Sequence, residues 1–144
     1  MIYFDTAYIA KCYLNERGSA EVRGLAGGAE RVACCALGRL ELAATIHRNL
    51  REGAISASQS RLILRQFDLD EADRIWTWLP VTPELLAAAA AKYRALRPSI
   101  YLRAADALHL VCAMEHGFNE FWSSDRHLLA AAPAFDLTGR NIVE

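Results

Sequence analysis

Four acidic residues stand in contexts that predict burial or the end of a strand, where a free carboxylate is costly. They are Asp5, Glu41, Asp106 and Asp125. An isolated buried carboxylate destabilises a fold by several kcal/mol unless it is paired, protonated or bound to a cation. A divalent ion held by such carboxylates can activate water and neutralise the charge that develops when a phosphodiester is attacked. These four residues are therefore the first candidates for chemistry in this sequence.

Asp106 is the only formal charge in the stretch 104–114, which is apolar on nearly every side and is predicted to form a buried helix. Two structural explanations compete with a functional one. If the helix begins near Arg103, Asp106 lies in its first turn, where the helix dipole favours an acid by about 0.3–1 kcal/mol. His109 also follows three residues later, within reach of a hydrogen bond. Three other acids stand in similarly unfavourable contexts elsewhere in the chain, and this favours the functional explanation.

Asp5 and Asp125 each follow a β-prone run and precede a helical one, while Glu41 lies between two leucines of a predicted helix. In open α/β sheets the carboxyl edge is where ligands bind. If all four acids met there at about 6 Å, each pair would cost about 3 kcal/mol and six pairs about 17 kcal/mol at a dielectric of ~20. That exceeds the ~5–15 kcal/mol that stabilises a domain. Such a cluster must take up protons or a cation, and oxygen ligands select Mg²⁺ or Mn²⁺ over Zn²⁺.

Strands and helices alternate along the chain, which favours an α/β fold with a parallel sheet covered by helices. Strands are expected at 1–5, 31–35, 75–81 and 120–123, with at most one more in 135–143. Helices are expected at 7–14, 19–25, 36–51, 56–68, 82–96, 104–114 and 126–132. The acidic run 68–73 is expected to be a solvated turn. In the helix 36–51 the predicted buried face comprises Leu40, Ala43, Ala44, Ile46, His47 and Leu50.

Composition restricts the possible classes of protein. The 144 residues are expected to form one domain, 1–144, and the four cysteines show no paired C-x-x-C spacing, so we expect reduced core thiols and a cytoplasmic location. No signal peptide or membrane span is expected. The net charge of −1 draws no nucleic acid by itself, so an RNA partner would need a local patch. Arginine, which binds phosphate well, supplies fourteen of the sixteen basic residues. The alanine-rich composition indicates a GC-rich coding bias that would favour arginine as well, so the excess is neutral evidence.

Four short segments, taken in order and spacing, resemble a known family. They are residues 2–6, 40–43, 105–110 and 122–128, and the resemblance covers nearly the whole chain. The sequence resembles PIN domains, and among them the VapC-type toxins of bacterial toxin–antitoxin pairs. This resemblance implies a three-layer α/β/α fold with a central parallel sheet of about four to five strands. It also implies a Mg²⁺- or Mn²⁺-dependent endoribonuclease that acts on RNA, forms a homodimer and is inhibited by a cognate antitoxin.

The resemblance assigns roles to individual positions. It implies that the four acids are both the catalytic and the metal-binding residues. It also implies that Thr6 and Ser123 are the hydroxyls beside the first and last acid, where they contact the substrate by orienting water or a phosphate. Ala7 departs from the Ser or Asn that is frequent at its position. We add Arg103 and Arg126 as candidate phosphate contacts, although an arginine on a helix surface is more often a solvated charge.

Three other hypotheses remain open. Asp5 and Thr6 are similar to the start of haloacid-dehalogenase-like phosphatases, but Ala7 stands where that chemistry needs a second aspartate. His109, Cys112 and His116 lie on one helix face at a spacing that could bind zinc, although a helix-capping His116 and a His109 paired with Asp106 or the backbone are simpler explanations. Finally, a catalytically inactive PIN-like domain could bind RNA or regulate another protein.

Overall fold

The computed structural model describes residues 1–143, which form five strands and seven α-helices. The strands are β1 (Ile2–Phe4), β2 (Val32–Cys35), β3 (Trp76–Leu79), β4 (Glu120–Trp122) and β5 (Thr138–Arg140). The helices are α1 (Thr6–Tyr13), α2 (Ser19–Gly28), α3 (Leu37–Arg51), α4 (Ala57–Ala72), α5 (Pro83–Arg94), α6 (Ala104–Glu115) and α7 (Arg126–Ala131). A 3₁₀ turn, Ala132–Phe135, connects α7 to β5.

The five strands form one sheet in the order β3-β2-β1-β4-β5, and every neighbouring pair is parallel. The central strand is β1, where Tyr3 lies opposite Ala33 on one side and Phe121 on the other. Since all strands run the same way, their carboxyl ends share one edge of the sheet. The expected α/β class and the parallel sheet of four to five strands are confirmed.

Alternation along the strands divides the core into two layers, because successive side chains point to opposite faces of a sheet. Tyr3 packs with α5, α6 and the 3₁₀ turn, whereas Phe4 packs with α1, α2 and α3. Aromatic side chains of α4 and β3, including Phe67 and Trp76, complete the second layer. The molecule therefore has the three-layer α/β/α architecture that the resemblance implies.

Two helix starts form as their sequences predict. Ser56 accepts from the backbone N–H of Gln59 and the Gln59 side chain accepts from the backbone N–H of Ser56, which is a capping box. Thr82 caps α5, where Pro83 takes the first helical position.

The expected acidic turn at 68–73 is wrong, because α4 continues to Ala72. Two acids in this stretch make hydrogen bonds with the core rather than facing only solvent. Asp70 accepts from the hydroxyl of Tyr13, and Glu71 accepts from the indole N–H of Trp78. Glu71 also pairs with Arg39 at 3.0 Å. These tertiary contacts hold the last turn of α4 against α1, β3 and α3.

The predicted buried face of α3 is wrong at every position but Ile46, because Ala43, Ala44, His47 and Leu50 are exposed together with Leu40. The buried positions are Gly38, Leu42 and Ile46, which follow each other at a spacing of four residues, whereas Leu40 is 69% exposed. Relative to the predicted orientation, the helix is rotated about its axis, so that this narrower stripe packs against α1 and the sheet. Glu41, next to the stripe, is consequently half-buried, with a side chain 31% exposed.

All four cysteines are free thiols, and Cys34, Cys35 and Cys112 are buried, as expected for core thiols. Within residues 1–143, no helix combines the length and the apolar character that crossing a bilayer requires.

Gly38 provides a test of this packing, because α3 approaches β2 and α1 closely at this residue. A Cβ atom there would lie 2.7 Å from Sγ of Cys34 and 3.1 Å from Oγ1 of Thr6. We expect Gly38→Ala to lower the free energy of unfolding by about 1–3 kcal/mol, the usual range for overpacking. Urea titration measures this. Gly24→Ala in α2, with no neighbour within 4 Å, is the control and should stabilise by about 0.5–1 kcal/mol. Equal gains in both variants would contradict the close approach.

Candidate active site

The four acids lie around one cavity at the carboxyl edge of the sheet. Asp5, Glu41, Asp106 and Asp125 all line it, and its volume is about 740 Å³. They come from four places in the chain: the end of β1, the first turns of α3, the first turn of α6 and the loop after β4. The sequence places them more than 30 residues apart in two of three intervals, so only the tertiary fold brings them together.

Asp5 lies deepest among them, with 3% of its surface exposed. One oxygen, Oδ1, accepts from the backbone N–H of Tyr8 at 2.9 Å and so caps α1. The other, Oδ2, accepts from the hydroxyl of Ser123. Burial raises the pKa of Asp5 to about 6, in spite of these two hydrogen bonds. Asp5 therefore lacks a positive partner strong enough to offset its burial.

Asp125 is also a helix cap. Its Oδ1 accepts from the backbone N–H groups of His127 at 2.7 Å and Leu128 at 3.3 Å, at the start of α7. Ser123 connects the two capping acids, since its hydroxyl donates to Asp5 and accepts from the backbone N–H of Asp125 at 2.9 Å. The strand-acid-helix pattern thus has a local structural cause at both ends of the site.

Arg103 bridges the two acids at the mouth of the cavity. Its Nε lies 2.9 Å from Oδ2 of Asp106, and its Nη2 lies 3.6 Å from Oδ2 of Asp125. Asp106 is 7% exposed and occupies the first turn of α6, as the helix-start explanation predicts. The hydrogen bond to Asp106 raises the pKa of Arg103. The guanidinium supplies part of the positive charge that the cluster requires.

His109 pairs with Glu41 and not with Asp106 or the backbone, so the expected pairing is wrong. Its Nε2 lies 2.5 Å from Oε1 of Glu41, which also accepts from the hydroxyl of Thr6 at 2.8 Å. The helical spacing placed His109 near Asp106 in sequence, but Asp106 turns toward Arg103 and His109 points into the sheet. The sequence did not predict this pair because Glu41 lies on α3 and His109 on α6, and helical spacing relates only residues of one helix.

Burial has opposite effects on the two members of this pair, and their contact outweighs it in both. Burial disfavours a charged His109, yet hydrogen bonds with Cys34 and Glu41 raise its pKa above the ordinary value. Burial would raise the pKa of Glu41, but His109 and Thr6 lower it. The two groups therefore stabilise each other's charged form.

The four expected substrate contacts have different positions. Thr6 and Arg103 line the cavity but already bind Glu41, Asp106 and Asp125. Ser123 is fully buried against Asp5, and Arg126 is exposed at the start of α7, outside the cavity lining. The cavity lining also contains His47, Arg48 and Arg51 of α3. None of them was predicted as a site residue, and His47 was assigned to the buried face of its helix. Their helical spacing was the available signal.

The zinc hypothesis has no support within residues 1–143. Nδ1 of His116 lies 2.8 Å from the backbone carbonyl of Cys112, so this histidine interacts with the end of its own helix. His109 points away toward Glu41. As the side chains stand, no three His, Cys, Asp or Glu residues of the described chain are arranged to hold a metal ion.

The donor chemistry of the site nevertheless fits a hard divalent cation. Six acidic residues line the cavity, the four candidates together with Glu16 and Glu52, and oxygen ligands are those that Mg²⁺ and Mn²⁺ prefer. Asp5 is held by hydrogen bonds and, within residues 1–143, has no ion-pair partner, and burial raises its pKa to about 6. Glu41 uses only Oε1 in its contacts with Thr6 and His109, and among residues 1–143 no hydrogen bond involves its Oε2.

The raised pKa of Asp5 predicts a pH dependence of stability in the metal-free protein. A carboxyl whose folded pKa is about 6 against an ordinary 3.8 stabilises the fold below pH 3.8 and loses this contribution as pH rises through 6. For this fully buried group the loss is about 3 kcal/mol. We expect the unfolding free energy of the native protein, relative to Asp5→Asn, to fall by up to that amount over this range. Asn caps helices as well as Asp, so parallel pH profiles in denaturant titrations would refute the prediction.

Three solved structures share this fold over nearly the full chain. The crystal structure of FitAcB from Neisseria gonorrhoeae matches with a TM-score of 0.76 at 19% identity, covering 98% of this chain and 97% of that chain. The structure of FitAB bound to an IR36 DNA fragment gives 0.69 at 18% identity, covering 98% and 94%. VapBC2 from Rickettsia felis, bound to a DNA fragment from its promoter, gives 0.65 at 13% identity, covering 98% of each. At these identities the likeness shows the fold alone.

Comparison with curated proteins finds no match. The family model for the PIN domain matches residues 2–133, a range that contains all four acids of the cavity. The chain belongs to the PIN domain family.

Proposed function

We propose that this protein is a Mg²⁺- or Mn²⁺-dependent endoribonuclease and the toxin of a VapBC-type toxin–antitoxin pair. PIN domains are generally nucleases, which supports a hydrolase acting on nucleic acid. The observation that carries the proposal is the meeting of Asp5, Glu41, Asp106 and Asp125 around one cavity. A purely structural role for each acid would not require four separate elements to direct a carboxylate into the same space.

The four acids would hold the ion, and Asp5 and Glu41 supply the part of the site that is already fixed. Asp5 is held by Tyr8 and Ser123, and Glu41 is held by Thr6 and His109. A bound divalent ion supplies an activated water and neutralises negative charge on the phosphate. Carboxylates that are fixed before the ion binds need little rearrangement. An ion held by them would therefore keep its water in a defined orientation.

The basic residues along the cavity would orient the RNA. His47, Arg48 and Arg51 line the cavity on the later turns of α3, where Glu52 pairs with Arg51 at 3.6 Å, and the exposed Arg103 lines it beside Asp106. Arginine forms two parallel hydrogen bonds to a phosphate, so these side chains would hold the backbone of a nucleic acid beside the acids. A local basic strip of this kind is what a chain of net charge −1 needs to bind RNA.

The partners follow from the same proposal. One similar structure is named VapBC2, the kind of toxin–antitoxin pair that the sequence motifs resemble, and this supports a cognate antitoxin for this chain. We propose further that the chain acts as a homodimer in the cytoplasm and that residues 1–144 form its single domain.

One observation favours the alternative of a catalytically inactive RNA-binding or regulatory domain. Arg103 and His109 already neutralise three of the four acids, so the described residues can coexist without a metal ion. An RNA cleavage experiment with the purified protein distinguishes the two functions.

We expect the purified protein, free of bound antitoxin, to cut a mixed pool of cellular RNA into discrete fragments with Mg²⁺ or Mn²⁺. EDTA should abolish cleavage because the water is then no longer activated. Asp106→Asn should reduce cleavage to the level of the EDTA sample, because it removes a ligand charge with little change in size. Gel analysis of the RNA measures both effects.

The matched control is Asp68→Asn, which removes an exposed carboxylate on α4 that does not line the cavity. It should cleave like the native protein. Folded native protein that cuts no RNA under any of these conditions would exclude the endoribonuclease and favour the binding domain.

Metal binding has a consequence that needs no RNA. A ligand that binds only the folded state stabilises it, by about 2.7 kcal/mol at a hundred times its Kd. We therefore expect Mn²⁺ to raise the free energy of unfolding of the native protein and of Asp68→Asn alike. Asp106→Asn should gain much less at the same Mn²⁺ concentration. An identical gain in all three proteins, measured by urea titration, would show that the ion binds elsewhere.

A further inference from the structure

His109 is a polar side chain in the most apolar helix of the chain, with 2% of its surface exposed. Both ring nitrogens have partners from outside α6. Nδ1 lies 3.0 Å from the hydroxyl oxygen of Tyr3, and Nε2 lies 2.5 Å from Oε1 of Glu41 and 3.3 Å from Oγ1 of Thr6. The imidazole therefore connects the central strand of the sheet to a candidate metal ligand.

Tyr3 is itself rigidly held. It is fully buried, and its ring packs against Phe118 and Phe121 with centroids 5.5 Å and 5.2 Å away. Its hydroxyl accepts from the backbone N–H of Cys35 in β2 at 3.0 Å. A group tied to two strands in this way gives Nδ1 of His109 a fixed partner.

The partners also determine which ring nitrogen carries hydrogen toward Glu41. In the neutral ring, the Tyr3 hydroxyl donates to Nδ1 and the ring hydrogen is on Nε2. In the charged ring, both nitrogens carry hydrogen. In either form Nε2–H donates to Oε1 of Glu41, so the orienting hydrogen bond persists whatever the charge of the ring.

Glu41 needs such a restraint. Its side chain is long, 31% exposed and attached to a helix surface rather than to the sheet. Thr6 and His109 both contact Oε1, and Oε2 has no hydrogen bond among residues 1–143. One oxygen is thus fixed and the other is left for a ligand in the cavity that Glu41 lines.

We propose that His109 is a positioning residue which, held by Tyr3, fixes Glu41 in the orientation required to bind the divalent ion. The inference rests on the proposed metal-dependent function and deepens it. A group that hydrogen-bonds a metal-binding side chain orients that side chain, and its loss lowers the affinity for the metal by roughly 10- to 100-fold. His109 has this relation to Glu41.

The test is the Kd for Mn²⁺ alone, measured by isothermal titration calorimetry without RNA. His109→Leu, which fills the space without a donor, should weaken binding by about 10- to 100-fold. His109→Gln, whose side-chain amide can donate to Oε1, should retain most of the affinity. Val111→Ala, at a fully buried position of the same helix, controls for general loosening of α6 and should leave the Kd unchanged.

Two further variants keep the inference falsifiable. If His109→Leu does not fold, Tyr3→Phe replaces it. That change removes the hydroxyl that holds Nδ1 and that also accepts from the backbone N–H of Cys35, keeps the buried ring, and should weaken Mn²⁺ binding in the same direction. Glu41→Gln provides the coupling: because His109 acts through Glu41, His109→Leu should cause no further loss in a Glu41→Gln background.

The outcomes separate the two proposals. A folded His109→Leu with native affinity, beside a weakened Glu41→Gln, would overturn the role of His109 and leave the metal site standing. An equal loss from His109→Leu with and without Glu41 would show a merely structural effect and also overturn it. If Glu41→Gln binds Mn²⁺ as well as the native protein, or if the native protein binds none, the proposed metal site fails and the role of His109 fails with it.

Discussion

Negative charge at the carboxyl edge of the sheet is the constraint to which the surrounding residues respond. Three of the four carboxylates have a cationic partner from the chain: Arg103 bridges Asp106 and Asp125, and His109 pairs with Glu41. Asp5 has only hydrogen bonds from Ser123 and Tyr8, and its pKa is raised to about 6. The charge deficit is therefore concentrated at the buried end of the cavity, which is the physical reason to expect a cation there.

The elements that carry the acids are themselves stabilised by them. Asp5 caps α1 and Asp125 caps α7, so the same carboxylates that create repulsion also satisfy the N–H groups that open each helix. Ser123 joins the two caps across neighbouring parallel strands β1 and β4. Because two roles depend on each side chain, replacing Asp by Asn changes charge while preserving the cap, and replacing it by Ala would change both. Variants that conserve shape are consequently the informative ones.

The sequence predicted the parallel sheet, the main helices and four of the acids that line the cavity, because strand ends, caps and isolated charges are local signals. It did not predict the rotation of α3, where Gly38, Leu42 and Ile46 form the buried stripe and Leu40 is exposed. The apolar positions of that helix fit more than one face, and only close packing at Gly38 decides between them. His109 was assigned to Asp106 for a similar reason: helical spacing reveals neighbours on one helix, whereas Glu41 lies on another.

The two ends of the cavity differ in how firmly their carboxylates are held. At the buried end, His109 is 2% exposed and ties Glu41 to the sheet through Tyr3. At the mouth, the side chain of Arg103 is 63% exposed and stays partly hydrated, whereas the side chains of its partners Asp106 and Asp125 are only 10% and 28% exposed. Loss of the guanidinium alone would leave the buried carboxylate of Asp106 without a positive partner. Under the proposed function an entering cation would take its place, while the pair of Glu41 and His109 keeps its geometry. Released in this way, Arg103 would be free to bind the phosphate of a nucleic acid at the same place. The proposed ion would neutralise Asp106 and Asp125 in place of Arg103, and the phosphate of the proposed substrate would pair with the released guanidinium. Each would then favour the binding of the other.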